Sequence, residues 1–73
     1  MNACILVKTT PVQTDEVLET VRKIGGVNKA FVAFGRYDLI AFAQSPDYSG
    51  IARLTSHVNS INGVRSTETL VEA

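Results

Sequence analysis

The sequence predicts an α+β fold with the order β-α-β-β-α-β, and three observations carry that prediction. Four apolar stretches, too short for helices, fall at 3–8, 27–34, 39–44 and 64–71. Two longer stretches between them repeat apolar residues at helical spacing. The third observation is an internal repeat: Val21-Arg22-Lys23-Ile24-Gly25-Gly26-Val27 matches Val58-Asn59-Ser60-Ile61-Asn62-Gly63-Val64 as V-x-x-I-x-G-V, 37 residues apart. Two βαβ-like halves therefore meet in mid-chain. The expected assembly is a ferredoxin-like four-stranded antiparallel sheet with both helices on one face, the first and third strands at its centre.

The first strand, Ala3-Cys4-Ile5-Leu6-Val7, is continuously apolar and reads as buried on both faces. Thr9-Thr10-Pro11 breaks it. Thr14 is the expected N-cap of the first helix, with Asp15 and Glu16 in the first turn where the macrodipole favours acids. Val17, Leu18, Val21 and Ile24 form its apolar face, and Gly25-Gly26 ends it. In the second strand Val27, Phe31 and Ala33 are placed on one side, and Ala30, Val32 and Phe34 on the other. Gly35-Arg36-Tyr37-Asp38 reads as a tight hairpin connection, since Gly permits positive φ and Asp bonds neighbouring backbone. Leu39–Gln44 is the third strand. Ser45-Pro46-Asp47 turns into the second helix, whose buried face is Ile51, Leu54, Val58 and Ile61. Gly50 near its start is a weak point of about 1 kcal/mol relative to Ala. Val64–Val71 closes the sheet.

Such a short chain buries a smaller fraction of its surface than a typical domain and needs support from elsewhere. Cys4 is the only cysteine and His57 the only histidine, which excludes an internal disulfide and a cysteine-based zinc site. Oligomerisation is left. Ile5 and Val7 point opposite to Cys4 and Leu6, and Leu39 and Ala41 opposite to Ile40 and Phe42. Two helices cover only one of these sets; a second copy laid sheet to sheet would cover the other.

Seven basic and seven acidic residues balance, which argues against direct nucleic-acid binding. No apolar run approaches a membrane span, and no signal peptide is visible. Together with the single Cys, this points to the cytoplasm. No cofactor or metal is expected. Nor does any Ser-His-Asp set, carboxylate pair or metal cluster suggest catalysis.

The stretches A-x-I-L-V-K-T, D-E-V at 15–17, I-x-G-V at 24–27, F-G-R-Y-D-L-I-A and G-V-x-x-T-x-T-L-V together resemble the effector-binding (RAM) domain of the Lrp/AsnC transcriptional regulators. The resemblance spans nearly the whole chain. It implies the same βαββαβ sandwich, dimerising through its sheets as a dimeric α+β barrel and forming rings (octamer or decamer). It also implies an amino acid or related small metabolite bound between dimers. Family members carry a helix-turn-helix domain ahead of this module. Here Met1 is followed almost at once by the first strand, so the expectation is a single effector domain, 1–73, that works with full-length regulators.

By the same resemblance, Gly35, Tyr37 and Asp38 match the ligand loop, and Thr67 and Thr69 are ligand contacts. The chemistry fits: Asp38 could accept from a ligand ammonium, Gly35 allows close backbone approach, and Tyr37 offers a flat wall and a hydroxyl. Thr67 and Thr69 share one strand face. From the residues alone the simpler reading is favoured: Gly35 and Asp38 only shape the hairpin, Tyr37 packs on the surface, and the threonines are good strand residues on a wet face. Two other functions remain open: a cofactor-free monooxygenase or isomerase on the same kind of dimeric sandwich, and an ACT-like regulatory domain.

Overall fold

The computed structural model describes residues 1–73. Its elements are β1 (Asn2–Thr9), a 3-10 turn (Pro11–Gln13), α1 (Thr14–Arg22), β2 (Val27–Val32), β3 (Leu39–Gln44), α2 (Tyr48–Asn59) and β4 (Val64–Val71). The strands form one antiparallel sheet in the order β2-β3-β1-β4, so the first and third strands are central, as the halves require. Helix α1 lies over β2, and α2 over β4.

Strand alternation sorts the sheet cleanly. Ala3, Ile5, Val7, Leu39, Ala41 and Ala43 point to the helices and are buried against Val17, Leu18 and Val21 of α1 and Ile51, Leu54 and Val58 of α2. Cys4, Leu6, Ile40 and Phe42 point the other way. With Phe31 and Leu70 they make an apolar face that no element of the chain covers. Phe42 and Leu70 stay 42% and 52% exposed there, and the Phe31 and Phe42 rings lie 6.1 Å apart.

The repeated motif folds twice into one turn. In the first copy Val27 N–H donates to Ile24 O, and in the second Val64 N–H donates to Ile61 O, each at 3.1 Å. Gly26 and Gly63 adopt φ of 97° and 102°, which a side chain would strain. Each glycine carbonyl then accepts from the opposite half. Gln44 N–H donates to Gly26 O at 2.8 Å, and Thr10 N–H to Gly63 O at 2.9 Å.

Four local expectations are corrected. Thr14 is the first residue of α1 rather than its cap. Pro11, with φ preset and no N–H to satisfy, starts a 3-10 turn earlier, and the Thr14 hydroxyl bonds Thr9 Oγ1 (2.7 Å) and Pro11 O (3.2 Å). In β2 the register shifts between Val27 and Lys29, so Asn28 is an extra residue. Val27 and Ala30 consequently both face the helices, while Phe31 falls on the open face. The hairpin connection lies one residue earlier than Gly35–Asp38. β2 ends at Val32, Ala33 N–H donates to Asp38 O (2.9 Å), and Phe34–Tyr37 make the connection. Gly50, finally, is a packing site: a Cβ there would meet Ser45 Cβ at 2.9 Å and collide with its hydroxyl.

Candidate functional site

The Phe34–Tyr37 connection stands at the end of the sheet where β1 exits. Gly35 there has φ of 144° and nothing near its Cβ position, so backbone conformation rather than crowding calls for Gly. Phe34 is 99% exposed beside it. Asp38 is tied inward by both backbone and side chain. Its N–H donates to Val7 O (2.8 Å), and its Oδ2 accepts from Thr9 N–H (2.8 Å) and, more weakly, from Thr9 Oγ1 (3.4 Å). Thr9 is buried, so the carboxylate satisfies a donor that water does not reach. Oδ1 of Asp38 is left available.

Tyr37 reaches across to β4, where its hydroxyl donates to Glu68 Oε1 at 2.6 Å. That bond holds the phenol proton and raises the Tyr37 pKa above its ordinary value, with desolvation and the Glu68 charge adding to it. Sequence reading missed both Thr9 and Glu68 as partners, because neither is near the loop in the chain.

Thr67 and Thr69 do share a face of β4, but it is the one turned toward α2. Thr67 Oγ1 donates to Asn59 Oδ1 (2.9 Å), and the Thr69 and Thr55 hydroxyls are 2.8 Å apart. Glu68, between them, points to the other side. Within one chain, therefore, Tyr37 and the two threonines lie on opposite faces of β4. A small groove of about 220 Å3, bounded by Tyr48, Ile51, Thr55, Thr69 and Val71, runs beside Thr69.

The largest cleft lies at the other end of the sheet, between the end of α1 and the start of α2. It is open to solvent, has a volume of about 850 Å3, and is lined by Lys23, Arg53 and His57 together with Gly25, Gly26 and Ser45. No sequence motif announced it, since its three basic residues come from helices 30 residues apart. On the open sheet face, burial pushes the Cys4 thiol pKa up, which disfavours the nucleophilic thiolate. No group of three His, Cys, Asp or Glu residues lies together as a metal cluster would. No helix is long and apolar enough to cross a membrane.

These features define a ferredoxin-like α+β sandwich with a bare apolar sheet face and a polar loop at one sheet end. Residues 2–72 match the family model of the Lrp/AsnC ligand binding domain, and the chain belongs to that family. Among curated relatives, the HTH-type transcriptional regulator LysM of Sulfurisphaera tokodaii is 29% identical over 72 residues, 97% of this chain and 51% of LysM. The chain thus spans about half the length of the curated relatives it matches. Among solved structures, TTHA0845 from Thermus thermophilus superposes with a TM-score of 0.95 at 23% identity, covering 99% of this chain and 91% of that one. AsnC of E. coli superposes with a TM-score of 0.89 at 16% identity over 97% of this chain and 49% of its own. At these identities the superpositions establish the fold.

Proposed function

We propose that this chain is an oligomeric sensor of an amino acid or related small metabolite, acting in the transcriptional regulation of amino-acid metabolism in the cytoplasm. The observation that carries this reading is the match of residues 2–72 to a ligand-binding domain whose relatives include a transcriptional regulator. Pairing of two chains through the open sheet face would bury Leu6, Ile40, Phe42 and Leu70, and such dimers would assemble further into rings. The ligand loop is Gly35, Tyr37 and Asp38, with Asp38 Oδ1 free to accept from an ammonium group. Thr67 and Thr69 are the second part of the site. Because they and Tyr37 lie on opposite faces of β4, one ligand can touch both sets only when they come from different subunits. Ligand binding is then linked to assembly, and the ligand favours whichever state it binds better.

Seven basic and seven acidic residues give no basic excess of the kind DNA binding uses. Co-assembly with full-length Lrp/AsnC-type regulators would connect ligand occupancy to DNA. Binding rather than catalysis is the reading; a cofactor-free monooxygenase or isomerase would need an acid or base in a closed pocket, whereas Asp38 is spent partly on Thr9.

The test is a thermal-shift panel of the amino acids. A ligand at a hundred times its dissociation constant adds about 2.7 kcal/mol. In a domain of this size that moves the midpoint by about 10 °C or more. One or a few amino acids should do so, and Asp38→Ala should abolish the shift while light scattering still reports the dimer. Loss of the dimer in that variant, or a shift that survives it, would refute the site assignment. Steady turnover of a candidate substrate would refute the sensor reading itself.

A further inference from the structure

We propose that the cleft between α1 and α2 is a second ligand site, for a small phosphate-bearing metabolite. It is separate from the Gly35–Asp38 loop. The cleft adjoins Gln44 and Ser45, whereas Asp38 precedes Leu39 at the other end of β3. The β1 partners show the same separation: Asn2 pairs with Gln44 and Val7 with Leu39. The two sites are therefore a strand length apart, roughly 15 Å, and neither reading depends on the other.

Four features of the cleft support this assignment. Three basic side chains converge on it, Lys23 from the end of α1 and Arg53 and His57 from successive turns of α2. None of them forms an ion pair; the chain's one ion pair joins Arg22 to Glu19 at 3.3 Å. No carboxylate lines the cleft. Asp47, the acid whose charge Arg53 feels, is already engaged by Gly50 N–H (2.9 Å) and the Ser49 hydroxyl (3.0 Å) at the start of α2.

Neutral donors complete the surroundings. The Thr20 and Ser45 hydroxyls and the Gln44 amide line the wall, and the N–H groups of Gly25 and Gly26 have no backbone acceptor. Ile24 and Leu54 supply an apolar floor. An arginine fork and a lysine ammonium suit phosphate oxygens, the one bidentate and the other as a point charge. At about 850 Å3 the cleft is in the size range of small-molecule sites and has room for an organic moiety beyond the phosphate.

The internal repeat supplies a built-in control. The positions 37 residues from Arg53 and Lys23 are Glu16 and Ser60, so the related half carries no such charge. Its glycine is also closed over: a Cβ on Gly63 would meet Gln13 and Val17 side chains at 2.9 and 3.0 Å. Ser45-Pro46 leave the sheet before α2, whereas their counterparts 37 residues earlier, Lys8 and Thr9, remain in β1. One half thus has an open, cationic cleft where the other has a filled, mixed surface.

The experiment is an amide chemical-shift titration with pyrophosphate and, separately, ATP, with total ionic strength held at about 0.15 M, where a Debye length of about 8 Å confines charge effects to the neighbourhood of the cleft. Saturable shifts should centre on Gly25, Gly26, Arg53 and His57 for both probes. Arg53→Glu and Lys23→Glu should each weaken binding about tenfold or more. Arg65→Glu, an equal charge change on β4, should leave affinity within about twofold. The milder Arg53→Gln should also weaken binding, which guards against a fold defect in the charge reversals. The proposal fails if no saturation appears up to about 10 mM probe, if Arg65→Glu weakens binding equally, or if the shifts centre on Phe34–Asp38. Binding of pyrophosphate but no tighter binding of ATP would overturn the assignment to a phosphorylated metabolite and leave an anion site alone.

Discussion

The two ends of the sheet are built from the same turn and finished differently. At the Gly63 end, Thr10 enters the 3-10 turn at once, Gln13 and Val17 close over the glycine, and the polar groups bind one another through Asp38, Thr9 and Thr14. At the Gly26 end, Ser45 and Pro46 leave the sheet before α2 where Lys8 and Thr9 stay in β1, and a cleft with three unpaired basic groups opens. The repeat fixes the positions of turn, helix and strand in both halves. Where the chain leaves the sheet and a handful of side chains decide whether the space between them is filled or open.

This comparison is sharpest at the glycines. Gly63→Ala should be the most damaging change, combining a positive φ with contacts at 2.9 and 3.0 Å, at about 2–4 kcal/mol by urea denaturation. Gly26→Ala meets Gln44 O at 3.1 Å and the movable Leu54 methyl at 3.2 Å, so its cost should be smaller. Equal costs would show that the filled and open ends do not differ in packing.

A second, smaller effect concerns the cleft wall. Gly50→Ala gains about 1 kcal/mol of helix propensity but collides with Ser45. The net result should be a loss of about 1–2 kcal/mol, since overpacking commonly costs more than propensity returns. Adding Ser45→Gly should restore most of it; if the double variant melts no higher than Gly50→Ala, Ser45 is not the obstacle.

The smallest effect is a pH dependence. The Gly50 N–H first, then the Ser49 hydroxyl, hold the Asp47 pKa below its ordinary 3.8, against a small opposing desolvation. A carboxyl with a depressed folded pKa stabilises the fold above its unfolded pKa and loses that contribution as pH falls through the folded value. Acidification below about pH 4 should therefore cost the wild type slightly more than Asp47→Ser, which caps without titrating over that range. The measurement is the melting midpoint of each protein between neutral pH and pH 3. Parallel curves would mean that the cap contributes nothing through its charge.

Much of this fold was legible because its signals are periodic. Alternation separated Ile5 and Val7 from Cys4 and Leu6, and Leu39 and Ala41 from Ile40 and Phe42, leaving the structure to show which set the helices cover, and helical spacing found Val17, Val21, Ile51 and Val58. The misses come from single residues that break a period. Asn28 is accommodated as a bulge, so Phe31 changes sides. Pro11 starts a helical turn ahead of the residue that looked like the cap. The Gly35–Asp38 loop was recognisable as a motif, yet the direction of Thr67 and Thr69 toward α2 depends on which face of β4 the helix packs against. The basic cleft was illegible for a plainer reason. In the sequence, Lys23 is a favourable charge at a helix end and nothing singles out Arg53, and only folding brings the two to one cleft.

The pairing of β1 with β4 has a consequence for connectivity. Glu72 N–H donates to Asn2 O at 2.9 Å, and the Asn2 amide reaches Glu72 Oε1 at 3.0 Å, so these two residues sit side by side as a hairpin's ends do. A short linker there, with the backbone opened between Gly35 and Arg36, would give a circular permutant beginning at β3. Its elements would run β3-α2-β4-β1-α1-β2, which is again β-α-β-β-α-β. The permuted chain is thus the same topology with its two halves exchanged, and the sheet retains no record of which half comes first.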